Sequence, residues 1–445
     1  MQDGKVVVGI LGCGVVGGAL VRLIQERPIE DCLIRAIVVS NPDPTGKHSF
    51  VEDKGLLTSN WKTVTGDSSV DIVVEAIGGP VGVPAQHLSE ALLRAINEGK
   101  SLVTANKAFV GENWSQIARA QRKGISLGIE ACVGGSIPII EPLRDRQHLD
   151  EVQEIVGILN ATSNFILSHR ARALLSNSED ASENAALALA VERGLAERPP
   201  SADEPTKPNL DLDGSDAASK LAILASIAFQ TAIKPSSIAL KVGIRNLGQD
   251  VFAFARTFDY RIKPLASARK TEAGLELGVY PALVDKTHPL ASIDDDLNAI
   301  LVKGKYSGWH MFSGKGAGPE PTATAMYNDL YRVVRNVKSE SRENPLEVHL
   351  RVRHLSTREF RRRGYFHAKV PDEPGNLGRM ANVLGRSRIN IRQFHEAQAL
   401  PSDPHMPIML STDPIPWSVA TRALKRMEAL PGFREAQFIA LADWV

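Results

Sequence analysis

Residues 5–25, KVVVGILGCGVVGGALVRLIQ, limit the possible folds more than any other stretch: a β-type run ends in Gly12, Gly14 and Gly17 and passes into a helical pattern through Leu20, Leu23 and Ile24. Strand, glycine turn and helix follow in the order that a dinucleotide-binding βα unit requires. Gly12 permits the tight turn, Gly14 leaves room for a pyrophosphate, and Gly17 lets helix and strand approach. The phosphates then meet the helix N-terminus at Val15 and Val16, where backbone N–H groups point outward. Taken alone, such a turn also has a purely structural reading.

The stretches that follow support the dinucleotide reading. Strands are predicted at 33–40, 71–79, 101–107 and 124–131, separated by helical segments such as AQHLSEALLRAINEG. Alternating β and α segments imply an α/β fold with a Rossmann-type, doubly wound parallel sheet. Ligands of such sheets lie beyond the carboxyl ends of the strands, which makes Gly78, Gly79 and the lysine of TANK, Lys107, candidate site residues. The second strand runs out as Val39, Ser40 and Asn41, with Asp43 and Lys47 slightly beyond. An acid at the strand end would select NAD by its bond to the ribose, so its absence favours NADP while leaving NAD open.

At 445 residues the chain exceeds one hydrophobic core, and two or three domains are expected. The dinucleotide domain is assigned to 1–145, completed by a glycine turn and helix over 313–338. An α+β domain for substrate and dimerisation spans 146–312, interrupted by the proline-rich loop 197–209. After a linker at 338–345, residues 361–445 read as a βαββαβ unit. Lysine and arginine number 52 against 51 acids, a balance that excludes a generally basic nucleic-acid binder. The RRR cluster at 361–363 reads as a solvated face. No apolar run reaches the ~20 residues needed to span a bilayer, and three scattered cysteines suit a reducing cytoplasm.

One further segment, DLDGSDAASKLAILASIAF at 211–229, is apolar on almost every side yet carries Lys220. If 215–229 is helical, Asp216 and Lys220 share a face. Lysine is seldom buried without a partner, so Lys220 either pairs structurally with Asp216 or projects into a cleft as a catalytic group.

The chain resembles the homoserine dehydrogenase family through GILGCGVVG, DIVVEAIGG, VTANKA, EACVGGSIPIIEPLRD, VGILNATSNFIL, GLAE, DLDGSDAASKLAILA and GKGAGPEPTATA. The resemblance implies NAD(P)-dependent interconversion of L-homoserine and L-aspartate 4-semialdehyde on the way to threonine and methionine. It makes Lys220 the acid/base lysine and Lys107 a second lysine near the reacting carbon, with Asp216 beside them. Glu197, Asp211 and Thr162 would bind the substrate. Gly12, Gly14, Val15, Val16, Gly17, Gly78, Lys107 and Gly318 would bind the nucleotide. Glu130, Val133, Gly135 and Ile137 match positions that hold a monovalent cation, commonly sodium. The chain departs from the family pattern at Leu195, where a tyrosine is usual, at Ala161 and Ser136, where glycines are usual, and in the longer spacer between Glu197 and Asp211. Residues 361–445, with PDEPGNLGRMANVL and INI, resemble an ACT domain. That implies a homodimer or homotetramer and an amino-acid effector, threonine first. Two other readings stay open at this stage: a semialdehyde dehydrogenase using Cys132 as nucleophile, and a catalytically silent amino-acid sensor on the same scaffold.

Overall fold

The computed structural model describes residues 4–77, 85–146, 150–175, 182–196, 211–341, 343–348, 352–396 and 405–443. The chain divides into two compact units, one made of Met1–Gln153, Ser219–Pro235 and Ile300–Arg351, the other of Glu154–Ala218, Ser236–Ala299 and Val352–Val445.

The first unit holds strands β1 (Val6–Leu11), β2 (Cys32–Val38), β3 (Leu57–Thr58), β4 (Ile72–Glu75), β5 (Ser101–Thr104) and β6 (Leu127–Gly128). They form one sheet in the order β3-β2-β1-β4-β5-β6, and every neighbouring pair is parallel. The strand order reverses between β1 and β4, which opens the ligand crevice of a doubly wound sheet at their carboxyl ends. All residues of β1, β4 and β5 are buried, because helices cover both faces and leave no solvated side to alternate with. The helix Val15–Glu26 packs with the late helix Pro319–Ser339, and Leu20, Val21, Met326, Leu330, Val333 and Val334 share one core with Val6, Val8 and Ile10.

Two local readings change. The strand expected over 124–131 shrinks to Leu127–Gly128, because Glu130 opens a 3-10 turn and gives its backbone N–H to Asp329 at 2.9 Å instead of to a neighbouring strand. The expected linker 338–345 is anchored: the Glu343 carboxylate accepts hydrogen bonds from Gln121, Leu127 N–H, Arg144, Asn336 and Arg332.

In the second unit, β7 (Val152–Ile158), β8 (Leu240–Lys241), β9 (Tyr260–Thr271) and β10 (Gly274–Asp285) come first along the chain. Later along the chain, β11 (Leu297–Gly304) and β12 (Gly308–Lys315) are neighbours in a hairpin that falls, from Ile300 on, in the first unit. The C-terminal strands are β13 (Arg361–Arg362), β14 (Gly364–Pro371), β15 (Ile391–Glu396), β16 (His405–Thr412), β17 (Ile415–Pro416) and β18 (Arg434–Leu441). The sheet of this unit runs β7-β9-β10-β18-β14-β16-β15, and β8 also pairs with β10. A long antiparallel hairpin joins β9 to β10, and β18 lies parallel to β10 through Ala282 and Ala440. With the helices Asn376–Arg386 and Trp417–Glu428, the strands β14, β15, β16 and β18 follow one another as βαββαβ. Within the RRR cluster only the flanks are solvated. Arg362 is buried, its guanidinium 2.5 Å from the Glu276 carboxylate and hydrogen-bonded to the Tyr280 hydroxyl at 2.9 Å.

The segment at 211 starts as a turn and becomes helical only at Ser215, ending at Ala228. Gly214 takes φ +83°, and the Asp213 carboxylate accepts the Ser215 N–H at 2.8 Å. Every residue from Leu221 to Ile227 is fully buried. Among the described residues no helix is long and apolar enough to cross a membrane.

Glu343 should be the most sensitive residue of the former linker. Glu343→Ala leaves the buried Arg144 and Arg332 short of a carboxylate and should cost about 3–5 kcal/mol, seen as a fall in Tm by calorimetry. An unchanged Tm would show that these bonds contribute nothing.

Candidate active site

The glycine turn is built by close approaches. Gly12 has φ +95°, and a Cβ there would stand 2.9 Å from the Ala76 carbonyl oxygen. A Cβ at Gly17 would come within 2.1 Å of the Gly12 oxygen, whereas one at Gly14 would meet nothing within 4 Å. Gly14 caps the helix Val15–Glu26 without a side-chain bond, and no acid occupies its first turn. The N–H groups of the first turn, at Val15 and Val16, form an uncapped positive dipole end beside the open Gly14, which fits a dinucleotide's pyrophosphate. Past the end of β2, Ser40, Asn41 and Lys47 are exposed. Asp43 turns its carboxylate onto its own loop and accepts the N–H groups of Gly46 and Lys47, both at 2.9 Å. Those two bonds hold its pKa below the ordinary aspartate value.

Where β4 and β5 end, a connected polar chain begins. Glu75 is fully buried. It accepts the Ile77 N–H at 2.9 Å and the Thr104 hydroxyl at 2.5 Å. Thr104 Oγ1 in turn accepts the Asn106 N–H at 2.9 Å, and Asn106 Oδ1 accepts the Phe109 N–H at 3.0 Å, capping the helix Lys107–Glu112. Lys107, half-buried, is therefore the first residue of a capped helix. Burial raises the Glu75 pKa to about 7 against the pull of its hydrogen-bond donors. Gly78 and Gly79 lie outside the described residues, as does Glu197.

Glu130, Val133, Gly135 and Ile137 fall in a tight loop in which Gly134 and Gly135 both have positive φ. Glu130 is spent locally, its carboxylate accepting the N–H groups of Ile139, Ile140 and Glu141 at the start of the helix Ile140–Arg146. A Cβ on Gly135 would sit 2.6 Å from the Lys315 carbonyl oxygen, so this loop packs on the segment leading to Gly318. Gly318, at φ +123°, starts the helix Pro319–Ser339 with no side-chain cap. Two of the N–H groups on Glu130 meet its Oε1 and one meets Oε2 at 3.3 Å, so the donor set keeps carboxylate lone pairs beside backbone carbonyls, the hard oxygen chemistry that suits a hard cation. Between these residues, Cys132 gives its thiol hydrogen to the Thr104 carbonyl at 3.3 Å, and burial pushes its pKa well up. A thiol so held is a poor nucleophile, which removes the structural basis for the Cys132 reading.

In the second unit Asn160 joins the predicted aspartates. Its amide nitrogen donates to Asp211 Oδ1 at 2.7 Å and to Asp216 Oδ2 at 2.8 Å, while its oxygen accepts the Ser163 N–H and caps the helix Ala161–Leu175. Ser163 Oγ donates to the Asp211 carbonyl at 2.7 Å, and Thr162 Oγ1 donates to the Leu195 carbonyl at 2.6 Å. The Thr162 bond uses the backbone of residue 195, so it is indifferent to the leucine that replaces the usual tyrosine. The helix Ser215–Ala228 carries Asp216 in its first turn and Lys220 one turn later, both half-buried. Sequence reasoning missed Asn160, Glu75, Thr104 and Asn106. The signal for the two asparagines was an asparagine directly before a helical run, an N-cap pattern.

Comparison with known proteins gives one answer. A family model described as homoserine dehydrogenase matches residues 138–331, and one described as the homoserine dehydrogenase NAD binding domain matches 12–126. A homoserine dehydrogenase of Pseudomonas aeruginosa is 33% identical over 440 residues, covering 96% of both chains. One from Mycobacterium tuberculosis is 35% identical over 400 residues, covering 87% of this chain and 86% of its own. Among solved structures, a homoserine dehydrogenase from Thiobacillus denitrificans superposes with a TM-score of 0.83 at 32% identity, covering 99% of this chain and 98% of its own.

Two measurements check this geometry. Asn160→Ala removes a cap worth about 1 kcal/mol, and Asn160→Asp adds a third carboxylate beside Asp211 and Asp216. The aspartate variant should melt below the alanine variant at pH 8, with the gap closing near pH 5; equal melts at both pH values would refute the bridging role. Glu75 has a folded pKa above its unfolded value of 4.5, so its stabilising contribution is complete below 4.5 and disappears as pH rises through about 7. The loss amounts to up to about 3 kcal/mol. Relative to Glu75→Gln, which does not titrate, the wild-type Tm should fall between pH 4.5 and 8; parallel profiles would contradict the shift.

Proposed function

Because the chain belongs to the homoserine dehydrogenase family, we propose that Lys220 exchanges the proton in its NAD(P)-dependent interconversion of L-homoserine and L-aspartate 4-semialdehyde. A nicotinamide, when bound, would supply or accept the hydride. In reduction, the Lys220 ammonium donates a proton to the aldehyde oxygen as the C–H bond forms, and its charge stabilises the developing alkoxide. In oxidation the neutral amine takes the same proton back. The observation that carries this reading is a half-buried lysine on a helix whose next seven residues are all fully buried. Such a helix core excludes water behind the amine and strengthens its electrostatics.

Lys107 acts beside the reacting carbon. Glu197 binds the substrate ammonium, which suits an acceptor-only group, while Asp211 and Asp216, whose carboxylates Asn160 orients, line the pocket. Thr162 supports them by holding the backbone at Leu195. Gly12, Gly14, Val15, Val16, Gly17, Gly78 and Gly318 receive the nucleotide. We assign NADP as the preferred form, because Asp43 is engaged in its own loop and Lys47 stands exposed past the end of β2 to meet a 2′-phosphate. Glu130, Val133, Gly135 and Ile137 would hold sodium through oxygen ligands. Residues 361–445 would serve as an ACT-type module for subunit pairing in a homodimer or homotetramer and for an amino-acid effector such as threonine. The cytoplasm is the matching compartment.

Lys220→Ala should lower kcat for homoserine-dependent NADP reduction at least about 100-fold, read by absorbance. An active variant would overturn the assignment. Lys47→Glu should raise KM for NADP about tenfold or more while leaving NAD nearly unaffected; an unchanged NADP to NAD ratio would reject Lys47 as the phosphate contact.

A further inference from the structure

Glu75 is a buried carboxyl that the proton transfer does not use, and its position is costly. A carboxylate taken out of water loses solvation that only well-placed donors can replace. Here the donors are specific: the Ile77 N–H on one oxygen, the Thr104 hydroxyl on the other, and the Asn106 side chain, which also acts on the carboxylate directly. Thr104 has a single proton. Having given it to Glu75, Thr104 presents a lone pair, and the Asn106 N–H points at that lone pair. Glu75, by accepting, fixes the direction of the Thr104 hydroxyl, and the backbone N–H groups of Asn106 and Phe109 continue the chain as donors. At the far end Asn106 caps the helix whose first residue is Lys107. The same residues sit at the carboxyl ends of β4 and β5, the side of a doubly wound sheet where ligands bind. Cys132, hydrogen-bonded to the Thr104 carbonyl, feels the charges of Glu75 and Lys107 in opposite senses, which puts both within electrostatic range of one thiol.

We propose that Glu75 is a positioning residue for the dehydrogenase reaction, orienting Lys107 through Thr104 and Asn106 without itself touching the substrate. The proposal rests on the reading of Lys107 given above. A polar chain of this kind sets where the helix begins, and with it the origin of the Lys107 side chain. A catalytic group displaced by about 1 Å can lose 100-fold in rate.

The test is a double-mutant cycle on the full-length enzyme, measuring kcat and KM for homoserine-dependent NADP reduction. Glu75→Gln keeps the shape but puts an amide where the carboxylate accepted. Glu75→Gln should lower kcat by about 10- to 100-fold with KM for NADP within about twofold of wild type. In a Lys107→Ala background the same change should have no further effect, because non-additivity marks residues acting through one another. Should Glu75→Gln not fold, Thr104→Val breaks the chain one residue later and should behave the same way, while Thr104→Ser, which keeps the hydroxyl, should restore most of kcat. An equal loss of kcat in both backgrounds would make Glu75 merely structural and overturn the proposal. So would an undiminished kcat in Glu75→Gln, or in Lys107→Ala, which would leave no lysine to position. Wild-type turnover reports on the homoserine dehydrogenase reading itself, and the cycle reports on Glu75 alone.

Discussion

A Cβ on Gly17 would stand 2.1 Å from the Gly12 carbonyl oxygen, so the helix Val15–Glu26 reaches the end of β1 only because that atom is missing. Much in the first unit follows from this approach. It brings an uncapped helix N-terminus to the point where the strand order reverses, and it lets Leu20 and Val21 enter the core that the late helix Pro319–Ser339 completes. A nucleotide's phosphates are the ligand for which such an end is suited, because aligned peptide dipoles and free N–H groups act together there. The exposed Val15 at this end has no role in packing the helix.

Two asparagines repeat one device in different parts of the chain. Asn106 and Asn160 each close the start of a helix with the side-chain oxygen. Each also leaves a second polar group for something else: the Asn106 backbone N–H reaches Thr104, and the Asn160 amide nitrogen bridges Asp211 and Asp216. An N-cap thus becomes a joint that fixes a functional side chain relative to a helix axis. The arrangement suits a site that needs accuracy, since the side chain inherits the rigidity of the element that it caps.

Charge is buried in the first unit on a scale that packing alone would not call for. Glu75, Glu130 and Asp329 are buried acids whose pKa values rise to about 7, about 7 and about 6. Glu130 spends its carboxylate on three amide N–H groups, and Asp329 takes the Glu130 N–H and the Arg332 guanidinium. Arg332 and the buried Arg144 both meet Glu343. Desolvation works against each ion, and the compensation is geometric: the Glu130–Asp329 and Arg144–Glu343 bonds tie segments distant in sequence to one place. Residue 343 is thereby fastened to the sheet that ends at β6.

Local chemistry was legible in the sequence wherever it depended on neighbours along the chain. The glycine spacing and the apolar β runs announced the parallel sheet and its nucleotide turn, because glycine φ values and strand burial are properties of short stretches. The lone lysine of an otherwise apolar helix was equally visible, and family resemblance then supplied the chemistry. What no stretch announced were the partners. Arg362 reads as part of a solvated basic run but lies buried against Glu276. Glu343 reads as linker but accepts from residues as far away as Gln121 and Leu127. The bridge from Asn160 to Asp211 and Asp216 spans about fifty positions. A side chain carries the same charge and hydrogen-bonding capacity in water as in a core, so its sequence neighbours say what it can bond to. Only the tertiary structure, by bringing distant donors within 3 Å of it, decides what it does bond to.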